Sequence, residues 1–377
     1  MKFTLTLLAA ALASSTAAAQ APAPSFNYKL GIVSESGDIV TWLQPGLNSL
    51  TVDHVVPVGV MPADIDGPHN ITMSPDMQFY YVSVAHGTPY GSLWKMAVQG
   101  DTLAGRAPLE MFPTTISVTP DGELAFVANS DFYGDHPRTN VVSVVHTPSM
   151  TTVSNIAACD MPHGVKVNHA GSKVYISCMH SDELLELDVG DLRISRRAPT
   201  GTGHQMAAGD THQMAGMSGS STPAPAPPAP AGGHECAPTF VSVSADDKTL
   251  FVACNYGNSV QVWDAASMTM TREIAVGTGA YNIEPSPDGN LVIVTNKKAQ
   301  SVSLIDTRTW TEVARIPTSK KIVHGVAYSP DGRYAYISAE SIGADPGSVD
   351  MIDLSTKQVV ATVAVPSQPT GITVLRK

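Results

Sequence analysis

Val323–Ser338 reads VHGVAYSPDGRYAYIS, an apolar stretch, a Ser-Pro-Asp-Gly turn and a second apolar stretch. Working outward, the same pattern returns as PHNITMSPDMQFYYVS from Pro68, PTTISVTPDGELAFVA from Pro113 and PHGVKVNHAGSKVYIS from Pro162. It returns again as PTFVSVSADDKTLFVA from Pro238, AYNIEPSPDGNLVIVT from Ala280 and a final PTGITVLRK from Pro369. The period is about 42 to 49 residues, with four short strands in each unit, which is the mark of a β-propeller. Apolar and small polar residues alternate within the strands, as in Val241, Ser242, Val243 and Ser244. That is a strand period, and no segment carries a helical one.

Six complete repeats run from Pro68 to about Gln368. The stretch Phe26–Gly67 holds three strands and lacks an opening one, which PTGITVLRK supplies. The expectation is an all-β, seven-bladed propeller over residues 26–377 whose last blade is shared by both ends. Sharing closes the ring and removes an exposed sheet edge. One insertion of roughly 35 residues interrupts the period at about 200–236, low in complexity and rich in Pro, Ala, Met and His.

Residues 1–19 read as a secretory signal peptide: Lys2, an apolar core from Phe3 to Leu12, and a small-residue site at Ala17–Ala19. Residues 20–25 read as a disordered N-terminus, and the mature chain as periplasmic or secreted. No later segment is long enough to span a bilayer. The formal charge of −11, with 15% of residues charged, leaves no basic cluster for nucleic acid or an anionic surface. Four cysteines in an exported chain point to disulfides. Cys159 and Cys236 precede two consecutive opening strands, and Cys178 and Cys254 end the second strands of the same units. The expected pairs are Cys159–Cys178 and Cys236–Cys254, with a copper–thiolate role for Cys178 as the alternative.

The repeats can be superimposed on one another. The second residue of each opening strand is His69, Thr114, His163, Thr239, Tyr281, His324 or Thr370. Seventeen residues on stand His86, Asp131, His180, Tyr256, Lys298 and Ser341. Both series belong at one mouth of the central channel. Histidines 69, 86, 163, 180 and 324 are therefore candidate metal ligands, with Asp131, Lys298 and Tyr256 as candidate catalytic residues and Tyr281 as a wall. Imidazole suits copper first and zinc second. The insertion adds His204, Met206, His212, Met214, Met217 and His234, soft ligands read as an auxiliary copper-collecting arm. Packing explains the remaining histidines as well as function does: His54, His146 and His169 read as structural, and His136 as a loop residue or an auxiliary ligand.

The repeats resemble the YVTN family, most clearly in VHGVAYSPDGRYAYIS, QSVSLIDTRTWTEVARIPT and GSVDMIDLSTKQVVATVAV. Histidines 69, 163 and 324 on opening strands, with His86 and His180 on second strands, resemble the copper centres of the nitrous oxide reductase and thiocyanate dehydrogenase propellers. The resemblance implies a copper-dependent oxidoreductase acting on a small molecule at the mouth. The alternatives are a non-catalytic copper carrier working with a donor or acceptor protein, and a metal-free protein-interaction propeller. No G-x-S-x-G, P-loop, C-x-x-C-H or dinucleotide-binding motif occurs.

Overall fold

The computed structural model describes Met1 and residues 26–60, 65–86, 91–131, 140–201 and 236–376. The signal-peptide and N-terminal assignments, His136 and the Met/His arm of the insertion lie outside the described residues. Seven four-stranded antiparallel sheets form the ring. The opening strands of blades 1 to 6 are Pro68–Met73, Pro113–Val118, Pro162–Val167, Pro238–Val243, Ala280–Pro285 and Val323–Tyr328. In blade 7 the C-terminal strand Pro369–Arg376 pairs with Tyr28–Ser34, which is followed by Ile39–Gly46 and Ser49–Pro57. Both termini thus build one sheet. One short 3-10 turn, Glu35–Gly37, is the only helical element among the described residues, and no helix there is long and apolar enough to cross a membrane.

The recurrent motif has a local physical cause. In the first hairpin the Ser74 hydroxyl receives the Phe79 amide at 2.9 Å and donates to Asp76 at 2.5 Å, which in turn receives the Gln78 amide at 3.0 Å. Ser329 and Asp331 repeat this around Tyr334 and Arg333. Side-chain oxygens satisfy the backbone donors that the tight turn leaves over. The apolar faces then pack between blades rather than within one. Val40 and Trp42 of blade 7 share a buried cluster with Ile71, Tyr80 and Trp94 of blade 1.

Disulfides join Cys159 to Cys178 and Cys236 to Cys254, so Cys178 is no free thiolate. Each ties the entry of an opening strand to the end of its hairpin partner. Loops of this size stabilise by about 3 kcal/mol each. Cys159→Ser/Cys178→Ser is therefore expected to lower the unfolding free energy by about that amount in denaturant melts. A midpoint indistinguishable from wild type would show that the hairpin register alone holds this entry.

Candidate functional site

The site begins with a bulge. In blade 1 Pro68 faces Val84 and Asn70 faces Ser83, so His69 is left out of the ladder. The same slip occurs at His163 and Thr239, and a longer one spans Tyr281 and His324. A bulge re-aims the extra side chain, and here it aims one residue per blade at the channel mouth.

Most of these residues follow a common rule: the side chain donates to the backbone carbonyl of the equivalent residue in the next blade. Thr114 donates to His163 at 3.0 Å, His163 Nδ1 to Thr239 at 2.9 Å, and Thr239 to Tyr281 at 2.7 Å. Thr370 donates to His69 at 2.7 Å and closes the circle at the shared blade. A histidine in this ring can do threonine's structural work with Nδ1 and still present Nε2. The glycine after it permits the approach, since a Cβ on Gly164 would lie 2.7 Å from the Thr239 oxygen.

His69, Tyr281 and His324 break the rule, and His324 Nδ1 has no hydrogen-bond partner. His69 Nδ1 turns to Glu35 Oε2 at 2.9 Å, and Glu35 Oε1 meets His86 Nε2 at 3.2 Å. One buried carboxylate therefore holds two imidazoles. Burial raises the Glu35 pKa, but the neighbouring histidines outweigh it and hold the group at about 2. Tyr281 Oη lies 3.1 Å from His163 Nε2. With the His163 Nδ1 hydrogen given to Thr239, Nε2 accepts and the tyrosine donates. Burial and then the charge of His69 push the His163 imidazole down to about 3.

The remaining members come from a second ring. Glu35, Ala85, Ser130, Met179, Asn255, Lys297 and Glu340 each donate their amide to the carbonyl of the residue before an opening strand. All seven acceptor residues, from Gly67 (φ 64°) to Gln368 (φ 55°), have left-handed backbone. Lys297 Nζ sits 2.8 Å from Glu340 Oε1 and 4.2 Å from the Tyr281 ring centroid. Burial lowers the Lys297 pKa, but Glu340, Tyr281 and Glu35 together outweigh it and raise the group above its ordinary value. His324 Nε2 lies 3.8 Å from Glu340 Oε1, and burial, Lys297 and His69 hold its pKa well down. Ring centroids run 5.4 Å from His69 to His324, 4.7 Å on to Tyr281 and 5.5 Å on to His163. Phe112 closes the side over His69 and His86 at 5.4 Å from each.

The structure thus brings His69, His86, His163 and His324 together from four elements. His180 stands near enough for its charge to bear on His163. Asp131, Tyr256 and Lys298 stand one residue beyond the second ring; their amides bond to the linkers, as those of His86 and His180 do. Lys298 Nζ lies 4.8 Å from the Tyr256 centroid, and burial and Lys297 lower its pKa. Glu35, Lys297, Glu340 and Phe112 escaped sequence reasoning. Superposing the repeats sixteen residues on, rather than seventeen, would have exposed Lys297 and Glu340. His54, His146 and His169 are each engaged by nearby side chains, respectively Asp53 and Asp101, Ser149, and Asp247.

Residues 286–374 match the family model of the Cytochrome D1 heme domain. The fold is similar to a structure titled Kuenenia stuttgartiensis hydrazine synthase: TM-score 0.64, 21% identity, 84% of this chain and 93% of that one. It is also similar to a functionally unknown protein from Desulfotomaculum acetoxidans: TM-score 0.70, 14% identity, 93% of this chain and 99% of that one.

These findings correct the expectation of copper, with zinc as second choice. The matched family is a heme domain, and among the described residues no three His, Cys, Asp or Glu side chains are grouped to hold a metal ion. The physical reason is the bonding above: His69 Nδ1 and His86 Nε2 are turned to Glu35, and both nitrogens of His163 are engaged. The same residues fit heme only in part. The donor chemistry suits it, because His69 Nε2 is buried, without a hydrogen-bond partner and backed by a carboxylate, like an axial histidine. The space does not. A planar macrocycle between two rings needs about 7 Å, two van der Waals contacts, and these rings stand 4.7 to 5.5 Å apart. The cluster as packed does not take a porphyrin between its rings. The comparisons show a shared fold over most of this chain and, over residues 286–374, likeness to the Cytochrome D1 heme domain.

Proposed function

We propose that this chain is an exported propeller that binds a small polar molecule at the channel mouth and exchanges a proton with it through His69. The observation that carries the reading is that His69 Nε2 and His324 Nε2, like His324 Nδ1, are buried imidazole nitrogens without hydrogen-bond partners. Leaving a buried polar atom unpaired costs about 1 to 3 kcal/mol, so a ligand that pairs both is favoured. In this reading Glu35 fixes the His69 tautomer and orientation, His324 binds, and Tyr281 with the Lys297–Glu340 pair forms the far wall. Export rests on the leader-like residues 1–19 and is consistent with the two disulfides.

A thermal-shift screen of small polar molecules tests this, with His69→Gln and His324→Gln beside wild type. The expected result is at least one compound that raises the wild-type melting temperature and neither variant's. A response equal in all three proteins, or none in any, would remove the mouth as the site. A second reading, a redox propeller, is favoured by the match of residues 286–374 to a heme domain. It predicts a Soret band in protein produced with heme supplied, held outside the histidine cluster and therefore retained in His69→Gln.

A further inference from the structure

The atoms left open at the mouth share one chemical sense. His69 Nδ1 faces Glu35, so the ring presents a lone pair on Nε2 whenever it carries a single hydrogen, and the residue is 6% exposed. His324 is 1% exposed, and its ring leans on the Thr370 carbonyl as His163 leans on that of Thr239, although without full hydrogen-bond geometry. Neither nitrogen of His324 has a hydrogen-bond partner, so its neutral ring can present Nε2 as an acceptor. Glu340 Oε1, 3.8 Å from His324 Nε2, accepts only.

The donors nearby are already engaged. Tyr281 donates to His163, and the Lys297 ammonium is paired with Glu340. Of the charged groups beside His69, His324 and Tyr281, Glu35 and Glu340 are carboxylates and Lys297 is the ammonium, while Lys298 stands over Tyr256. The wall already accommodates a cation, because the Lys297 ammonium stands 4.2 Å from the Tyr281 ring centroid. A carboxylate or phosphate would set acceptor against acceptor, and a tertiary amide brings no hydrogen to donate. A primary ammonium brings three donors and a positive charge.

Resting on the ligand reading above, we infer that the mouth selects a small protonated primary amine. It is bound by His69 Nε2, His324 Nε2 and the Glu340 carboxylate.

Calorimetric titration of the full chain with methylammonium, tetramethylammonium and acetate at matched ionic strength tests this. Methylammonium is expected to saturate one site and to bind at least about tenfold more tightly than the other two, a difference of about 1.4 kcal/mol. His324→Gln is expected to weaken it about tenfold, and Glu340→Gln serves if the first variant folds poorly. Equal affinity for tetramethylammonium would reduce the site to bare charge and overturn the inference, as would tighter binding of acetate. If methylammonium fails while another molecule still raises the melting temperature through His69, the amine class falls and the ligand site stands. If nothing binds through His69, both fall.

Discussion

Deletion of Pro369–Lys377 is expected to abolish the native fold. Pro369–Arg376 is the opening strand of blade 7 and pairs along Tyr28–Ser34, from Tyr28 opposite Arg376 to Ser34 opposite Pro369. Its loss would strip a complete ladder from one blade and expose the buried faces of Leu30 and Ile32. Thr370 would go with it, and with it the bond to the His69 carbonyl that closes the ring of blade-to-blade contacts. A domain's net stability is about 5 to 15 kcal/mol, and losing one ladder plus its packing is of that order. Circular dichroism melts and elution volume would read the outcome. A truncated chain that melts cooperatively near the wild-type temperature would show that six blades and a remnant are self-sufficient.

Acid is expected to destabilise the protein from about pH 6.5 downward, earlier than carboxylate titration alone would do. His163 has its pKa depressed from 6.5 to about 3 by burial and the charge of His69, and His324 is shifted the same way. A base whose folded pKa is depressed takes its proton more readily when unfolded. Its contribution is therefore fully present above pH 6.5 and is lost as the pH falls towards the folded value. Each pH unit in that window removes about 1.4 kcal/mol for each such imidazole. Glu35, depressed to about 2, adds loss of the same sign below about pH 4.5. Denaturant midpoints between pH 7 and 5 should fall steeply in wild type and less so in His163→Asn. Asparagine keeps an amide donor for the Thr239 carbonyl and does not titrate. A flat wild-type profile, or equal slopes in both proteins, would remove His163 as the source.

The fold was legible because it is written seven times. Each Ser-Pro-Asp-Gly turn carries its own hydrogen bonds within about six residues, and each strand its own alternation, so the pattern survives without tertiary information. The site was only partly legible. Residues at the opening-strand bulge could be aligned by counting, because every blade has the same bulge, and His69, His163 and His324 do meet at the mouth. Beyond the hairpin the count went one residue too far. Lys297 and Lys298 lie in the turn after Leu291–Asn296, where Lys297 reaches Glu340 and Tyr281 and Lys298 reaches Tyr256. Glu35 was out of reach because in the split blade the second strand, Tyr28–Ser34, precedes the opening strand in the chain, so counting onward from Thr370 runs past Lys377.

The sequence by itself determined the seven-fold repeat and the two cysteine pairs, which depend on spacing within a unit, and the shared closing blade, which follows from the strand that each end of the repeat array lacks. Only the tertiary structure decided what the histidines do. Nothing local distinguishes Pro162-His163-Gly164, whose imidazole is engaged at both nitrogens, from Val323-His324-Gly325, whose Nε2 stays open. The difference lies in the residue each one faces from another blade: Tyr281 for His163, and Glu340 with Lys297 for His324. Hydrogen-bond partners contributed from different blades, not the spacing of ligand-type residues, determine which nitrogens remain free to bind.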